Sequence, residues 1–163
     1  MNNALFLIDQ YGDWYYRKSK ITRHSMVKLF STILVRDNDN TFHLRTPVED
    51  VLVEVKDVPF IITEMNVKKR NKLQYICFNT NVDINLIVGK QNPLWLEQKI
   101  NSDELIPYVL VKKGLIAKLS RPVYYQLVEL LIVKKIKNIL HNGIYSGEDF
   151  FILDKPTSRN EYL

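Results

Sequence analysis

The sequence predicts an α+β fold, internally duplicated into two antiparallel β-rich halves that each carry one helix. Three observations predict it. Short strand-like runs joined by short connections fill residues 42–78, which reads as an antiparallel meander. Two stretches, beginning at Thr22 and Ser120, pair a capping residue with apolar side chains at helical spacing. Those stretches, "TRHSMVKLFSTIL" and "SRPVYYQLVELLI", also align without gaps, so that Arg23 meets Arg121 and Leu29 meets Leu127. Each follows an aromatic-rich hairpin and precedes an aromatic strand, "TFHL" in one half and "DFFIL" in the other, an order that points to a repeat. The boundary is expected near Thr80 to Asp83, giving an α+β half over 1–80 and a β-rich half with a long helix over 81–163.

"DWYYRKSKI" reads as an aromatic strand, a turn at Lys18-Ser19-Lys20 and a return strand. Thr22 then caps a helix through "STILV", with Met26, Val27, Leu29, Phe30, Ile33 and Leu34 on its apolar face. "RDNDN" ends it, because Asp and Asn compete for backbone hydrogen bonds. Strands are expected over Phe42 to Arg45, Val51 to Lys56, Phe60 to Val67 and Leu73 to Phe78. "NTNVD" breaks the pattern, and "INLIVG" and "PLWLEQ" resume it. "PYVLVKKGLIAKL" predicts a hairpin turning at Lys112-Lys113-Gly114. From Ser120, with Pro122 in the first turn, a long helix is expected, with Val123, Leu127, Leu130, Leu131, Ile136, Ile139 and Leu140 on its stripe and Gly143 ending it. "DFFIL" is the last strand, and "DKPTSRNEYL" reads as a frayed polar tail.

An apolar fraction of 46% and a charged fraction of 25% over 163 residues suit an ordinary folded domain. Apolar runs fall short of a membrane span, and Ala4 to Ile8 is too short for a signal segment. One cysteine, Cys77, excludes an internal disulfide framework and fits a reducing compartment, so a cytoplasmic location is expected, with no membrane partner. The net charge of +5 invites a nucleic-acid reading. The densest cations, Lys68-Lys69-Arg70 with Lys72 and Lys134-Lys135 with Lys137, lack interleaved aromatic residues, so no nucleic-acid partner is expected. The length and composition leave the oligomeric state open.

Trp14, Tyr16, Ile21, Arg23, Val27, Leu29 and Phe30, followed by "TPVE", "VKDVPF", "NTNVD", "NPL", "PYVLVKKGL" and "RPVYYQLVEL", resemble a bacterial family of unknown function, DUF family 1285. The resemblance runs from about Asp13 to Leu153. One departure is Ser19 at the first hairpin, where the family usually has Gly. The resemblance implies a duplicated α+β architecture, with a second half loosely like a pleckstrin-homology barrel, and a ligand-binding or signalling role drawn from that architecture alone. It implies no activity.

Motifs with built-in chemistry are scarce. A calcium loop counted from Asp37 would need Gly and Glu where Phe42 and Val48 stand. His24, His43 and His141 have no ligand spacing, so no metal is expected. Cys77 in "LQYICF" reads as a small buried hydrophobe. Phosphate-cradling and nucleophile-elbow motifs are missing, and neither cofactor nor catalytic residue is expected.

What remains are polar residues at element ends. Arg23 and Arg121 each follow a helix cap, where a cation needs an anionic partner. That partner is either Glu49, Asp57 or Asp83, or a ligand carboxylate or phosphate. In "RTPVEDVLVEVKDVPF", Val51, Val53 and Val55 alternate as a half-buried strand, and Pro47 and Pro59 suit its ends. Asp57 is expected to accept turn N–H groups, and Glu49 to face inward. The tyrosine hydroxyls of Tyr16 and Tyr124 could reach a groove. The expected function is a non-enzymatic small-ligand-binding or signalling-type module whose ligand, anionic where it answers an arginine, sits in a groove between the halves. Its candidate residues are Arg23, Thr46, Glu49, Asn79, Asn81, Asp83, Arg121 and Tyr124. One alternative is an enzyme on a small anionic substrate, with Glu49 or Asp83 as general base. A protein–protein adaptor is the other.

Overall fold

A computed structural model describes residues 4–163. The first sheet is built from β1 (Phe6–Ile8), β2 (Trp14–Tyr16), β3 (Ser19–Lys20), β4 (Leu34–Arg36), β5 (Phe42–Arg45) and β6 (Asp50–Val55), with α1 (His24–Thr32) between β3 and β4. Its order is β3-β2-β1-β6-β5-β4. The second sheet comprises β7 (Phe60–Arg70), β8 (Leu73–Thr80), β9 (Asn85–Ile87), β10 (Leu94–Gln98), β11 (Leu105–Lys112) and β12 (Leu115–Leu119), in the order β10-β11-β12-β7-β8-β9. Then come α2 (Arg121–Val128) and a three-stranded sheet of β13 (Ile132–Ile136), β14 (Ile139–Ser146) and β15 (Asp149–Ile152).

The fold is α+β and duplicated. Each six-stranded sheet joins two antiparallel meanders through one central parallel pair, β1 beside β6 and β12 beside β7. The helices enter at different points, α1 after the third strand of its sheet and α2 after the sixth. Locally the order hairpin, helix, hairpin recurs around Arg23 and Arg121, as the gap-free match expects. Strands β7 and β8 belong to the second sheet, so the boundary expected near Thr80–Asp83 falls inside that sheet, between β8 and β9.

One contiguous core spans both sheets. Ile8, Trp14, Leu34 and Val53 from the first pack in the same cluster as Phe60, Ile62, Ile76 and Val109 from the second, with Leu127 and Ile144. The junction is tied by Asn81, which accepts the Ile61 N–H at 3.0 Å and donates to the Gly12 carbonyl at 3.3 Å. Gly12 has φ +82°, and a Cβ there would lie 2.7 Å from Ile61 Cγ1. Only glycine adopts that backbone conformation freely and leaves that space.

Both helices are shorter than their apolar periodicity suggests. α1 stops at Thr32 because Leu34, Val35 and Arg36 pair with Leu44, His43 and Phe42. The long second helix is overturned beyond Val128. Its remainder is the β13–β14 hairpin, where Ile132, Val133, Ile136 and Ile139 are β-branched and favour strand. Gly143 is therefore a strand residue, where a Cβ would meet the Phe150 ring at 2.5 Å. The turn between these strands is Lys137-Asn138, both at positive φ, the backbone of a two-residue hairpin. The first hairpin likewise turns at Arg17-Lys18, placing Ser19 in β3.

The tail is not frayed. Thr157 N–H donates to the Leu96 carbonyl at 2.7 Å, and Pro156 bridges Leu96 in parallel. Arg159 Nη2 reaches Glu97 at 2.9 Å and Asp57 at 3.1 Å, and its guanidinium lies over the Tyr108 ring. Tyr162 stacks on Trp95 at 4.0 Å. Asp57 thus corrects its reading as a turn acceptor, since its carboxylate takes the Tyr108 hydroxyl hydrogen bond at 2.8 Å and pairs with Arg159. Tail and inter-sheet linker meet at one ionic knot on the outer face of the second sheet.

Arg159→Ala removes the cation between two part-buried carboxylates. It is expected to lower unfolding stability by about 1–3 kcal/mol, read from denaturant midpoints at unchanged slope. An unchanged midpoint would reduce the tail to surface decoration. Gly12→Ala is expected to cost about 1–3 kcal/mol through its backbone strain, checked by the same titration.

Candidate functional site

A groove of about 630 Å³ opens in the first half, between the β3 edge and α1. Its size lies in the range typical of small-ligand sites. Phe6, Tyr16, Met26, Phe30 and Val51 form much of its wall. The hairpin register sets Phe6 opposite Tyr16, with rings 4.9 Å apart, and Phe6 meets Phe30 edge-on at 5.3 Å. Phe30 in turn stacks on the buried Trp14, whose indole N–H has no partner. Behind the groove, the wall is therefore continuous with the shared core. At the groove itself Leu5, Tyr16 and Met26 stay 43%, 38% and 38% exposed, which leaves apolar surface uncovered.

Lys20, Arg23 and Glu49 supply the charged lining. Lys20 pairs with Asp13 at 3.4 Å. Arg23 occupies the N-cap position of α1 and makes no ion pair among the described residues. Glu49 is exposed, which corrects its inward reading. Thr46 holds its loop, accepting the Glu49 N–H at 3.1 Å and donating its own N–H to the Glu49 carbonyl at 2.8 Å. A second cavity, of about 520 Å³, is lined by the single connector over residues 98–103, with no second element to shape it.

The other candidates stand elsewhere. Asn79 lies in β8, where its carbonyl accepts the Thr63 hydroxyl at 3.3 Å. Asn81 uses its side chain at the junction. Asp83, at positive φ in the β8–β9 turn, meets His24 Nε2 at 2.9 Å and Lys28 at 3.7 Å. Asp83 thereby fixes the start of α1 against the second half and places Arg23 beside the groove. Arg121 is exposed at the start of α2, without an ion pair among the described residues, and Tyr124 is half-buried on the same helix. The structure brings Arg23 and Glu49 to one cavity and leaves the rest at two other places. Convergence of the set at the junction of the halves is overturned, because its polar side chains there already bond protein groups.

The His24 hydrogen bond, helped by Lys28, holds the Asp83 carboxyl below the usual carboxylate range, the wrong direction for a general base near neutrality. A tighter ionic cluster stands on β4–β6. Arg45 is bidentate to Asp37 at 2.9 and 2.8 Å and reaches Asp50 at 2.7 Å, and His43 Nδ1 lies 2.7 Å from Asp50. Arg45 depresses both carboxyls. The two acids of "TPVED" thus divide, with Asp50 locking strands and Glu49 lining the groove. Among the described residues no group of acids, histidines and cysteine is arranged to hold a metal ion, and no helix is long and apolar enough to cross a membrane.

Two family models cover the chain. The N-terminal domain of unknown function DUF1285 matches residues 2–58, and the C-terminal domain of the protein of unknown function DUF1285 matches residues 59–153. The chain belongs to this family. It is similar to the crystal structure of a DUF1285 family protein from Silicibacter pomeroyi DSS-3, at 34% identity and a TM-score of 0.83 over 92% of this chain and 79% of that one. It is also similar to a DUF1285 family protein from Shewanella baltica OS155, at 28% identity and a TM-score of 0.62 over 78% of this chain and 92% of that one. Among curated proteins none matches.

Since its folded pKa is lowered, Asp83 contributes stability that is present above its unfolded pKa of about 3.9 and lost as pH falls through the folded value. Carboxyl-carbon NMR is expected to show Asp83 titrating below about 3.9, and His24→Ala to move that midpoint upward. A midpoint that ignores the substitution would remove His24 as the cause.

Proposed function

We propose that this chain is a non-enzymatic, signalling-type small-ligand-binding module, and that its groove takes a ligand with an apolar body and one anionic end. The observation that carries the reading is the open apolar wall of Phe6, Tyr16, Met26, Phe30 and Val51, with Arg23 beside it and no acid paired to Arg23 among the described residues. Uncovered apolar surface rewards an apolar body, about 25 cal/mol for each Å² removed from water. A guanidinium without a partner rewards a carboxylate or a single phosphate. Glu49 and the Lys20–Asp13 pair keep the lining from being uniformly positive, which disfavours a compact polyanion. Glu49 also offers an acceptor for a ligand hydroxyl or amine.

Straight-chain alkyl carboxylates, with the matching alcohols and a nucleoside triphosphate as controls, test the reading by their shift of the unfolding midpoint. At a hundredfold excess over Kd the carboxylate is expected to add about 2.7 kcal/mol of apparent stability. Arg23→Ala is expected to weaken the carboxylate about tenfold while leaving the alcohol unchanged. Met26→Lys is expected to weaken both. Equal effects of carboxylate and alcohol on the wild-type chain would remove the anionic end, and no shift with either would remove the groove as a site.

A further inference from the structure

Independently of the groove, we propose that the outer edge of β13 is a docking site for an extended peptide segment that alternates acidic and apolar side chains. β13 is the edge of the three-stranded sheet β13-β14-β15. Ile136 pairs with Ile139 across the two-residue turn, so this pair and every second one from it are the hydrogen-bonded pairs. Ile132, Lys134 and Ile136 therefore bond to β14, while Val133 and Lys135 turn their backbone groups outward. Among the described residues no other backbone hydrogen bond or bridge occupies that edge.

The side chains at this end are apolar and uncovered. The sheet is anchored at its other end, where Ser146 Oγ accepts the Ile76 N–H at 3.0 Å and Gly147 N–H donates to the Gln74 carbonyl at 2.7 Å. Along β14, Leu140 shares a face with Ile144. Ile144 is fully buried, yet Leu140 is 67% exposed and Val133, on the same face, 62%. On the opposite face Ile132 and Ile139 are 46% and 58% exposed. A face that is core at one end thus continues uncovered at the other, beside an open strand edge.

Charge selects the occupant. Lys135 and Lys137 stand on this hairpin without an ion pair among the described residues, while Lys134 Nζ lies over the Tyr145 and Phe150 rings at 4.7 and 5.1 Å. A second copy pairing antiparallel through Val133 and Lys135 would set Lys134 directly opposite its twin, and like charges in that position are destabilising. A bilayer would cover the apolar side chains but leave the outward N–H and C=O groups of Val133 and Lys135 unpaired. An extended acidic segment answers both features. Its backbone completes the ladder, its carboxylates fall on one face and meet Lys135, and its apolar side chains fall on the other and cover Ile132.

The test titrates the full chain with a synthetic peptide alternating glutamate and valine, against a lysine–valine peptide and anionic phosphatidylserine vesicles. The glutamate peptide is expected to bind, to weaken as salt rises, and to slow amide exchange at Val133 and Lys135. Lys135→Glu is expected to weaken it about tenfold or more. Val133→Pro removes an outward N–H without touching the bonds to β14, and is expected to abolish binding with the fold intact by circular dichroism. If that variant unfolds, the charge reversal decides. Equal binding of both peptides, binding to vesicles alone, self-association in place of binding, or no binding each overturns the proposal.

Discussion

Neither six-stranded sheet can bury its inner face with the helix it carries. α1 is nine residues and α2 eight, against sheets of six strands. A sheet with one apolar face must find another layer to cover it. The solution is that the halves cover each other, so Ile8, Trp14 and Val53 lie in one cluster with Phe60, Ile62 and Val109. Everything else follows from that shared core. Gly12 has no side chain because the two sheets approach closely there. Asn81 reaches across because main-chain groups buried at such an approach need partners. Asp83 holds α1 from the other half, and the groove exists because α1 is pinned at its start while the short β3 edge leaves the gap beside it open.

The strand content was legible because it rests on alternation. Val51, Val53 and Val55, and the runs from Phe60 and Leu73, appear where the period-two pattern puts them. The helices were legible in place but not in length. In "STILVR" and "ELLIVKKIKNIL" the apolar residues suit either period, and what decides is a partner strand elsewhere in the chain. The clue for the second was local. Ile136 and Ile139-Leu140 flank Lys137-Asn138, and asparagine is among the residues that tolerate the left-handed backbone of a tight turn. Sheet membership of β7 and β8 was not legible, since parallel pairing joins strands far apart in sequence.

Of the candidate residues, Arg23 and Glu49, read from the sequence as charged residues at element ends, line one groove. Phe6, Ile21, Met26 and Phe30 were missed as groove lining, because an apolar residue facing a ligand and one facing a core give the same pattern. The tail was misread for a related reason. "DKPTSRNEYL" is polar in composition, yet Arg159 and Tyr162 act through single contacts, to Asp57, Glu97 and Trp95, that composition does not register. The two arginines that match in the repeat have also parted, since Arg23 lines a cavity while Arg121 stands exposed on α2.

The two tryptophans stand in opposite surroundings. Trp14 is 1% exposed, stacked on Phe30, with its N–H unpaired. Trp95 is as deeply buried, but it is sandwiched against Tyr162 and donates to the Glu97 carboxylate at 2.9 Å. An indole in a dry apolar wall and an indole bonded to a charge differ in excited-state environment. The molecule therefore carries two built-in optical reporters, one behind the groove and one beneath the C-terminal strap. Replacing either by phenylalanine isolates the emission of the other, so a change at the groove and a release of the strap can be told apart without any added label.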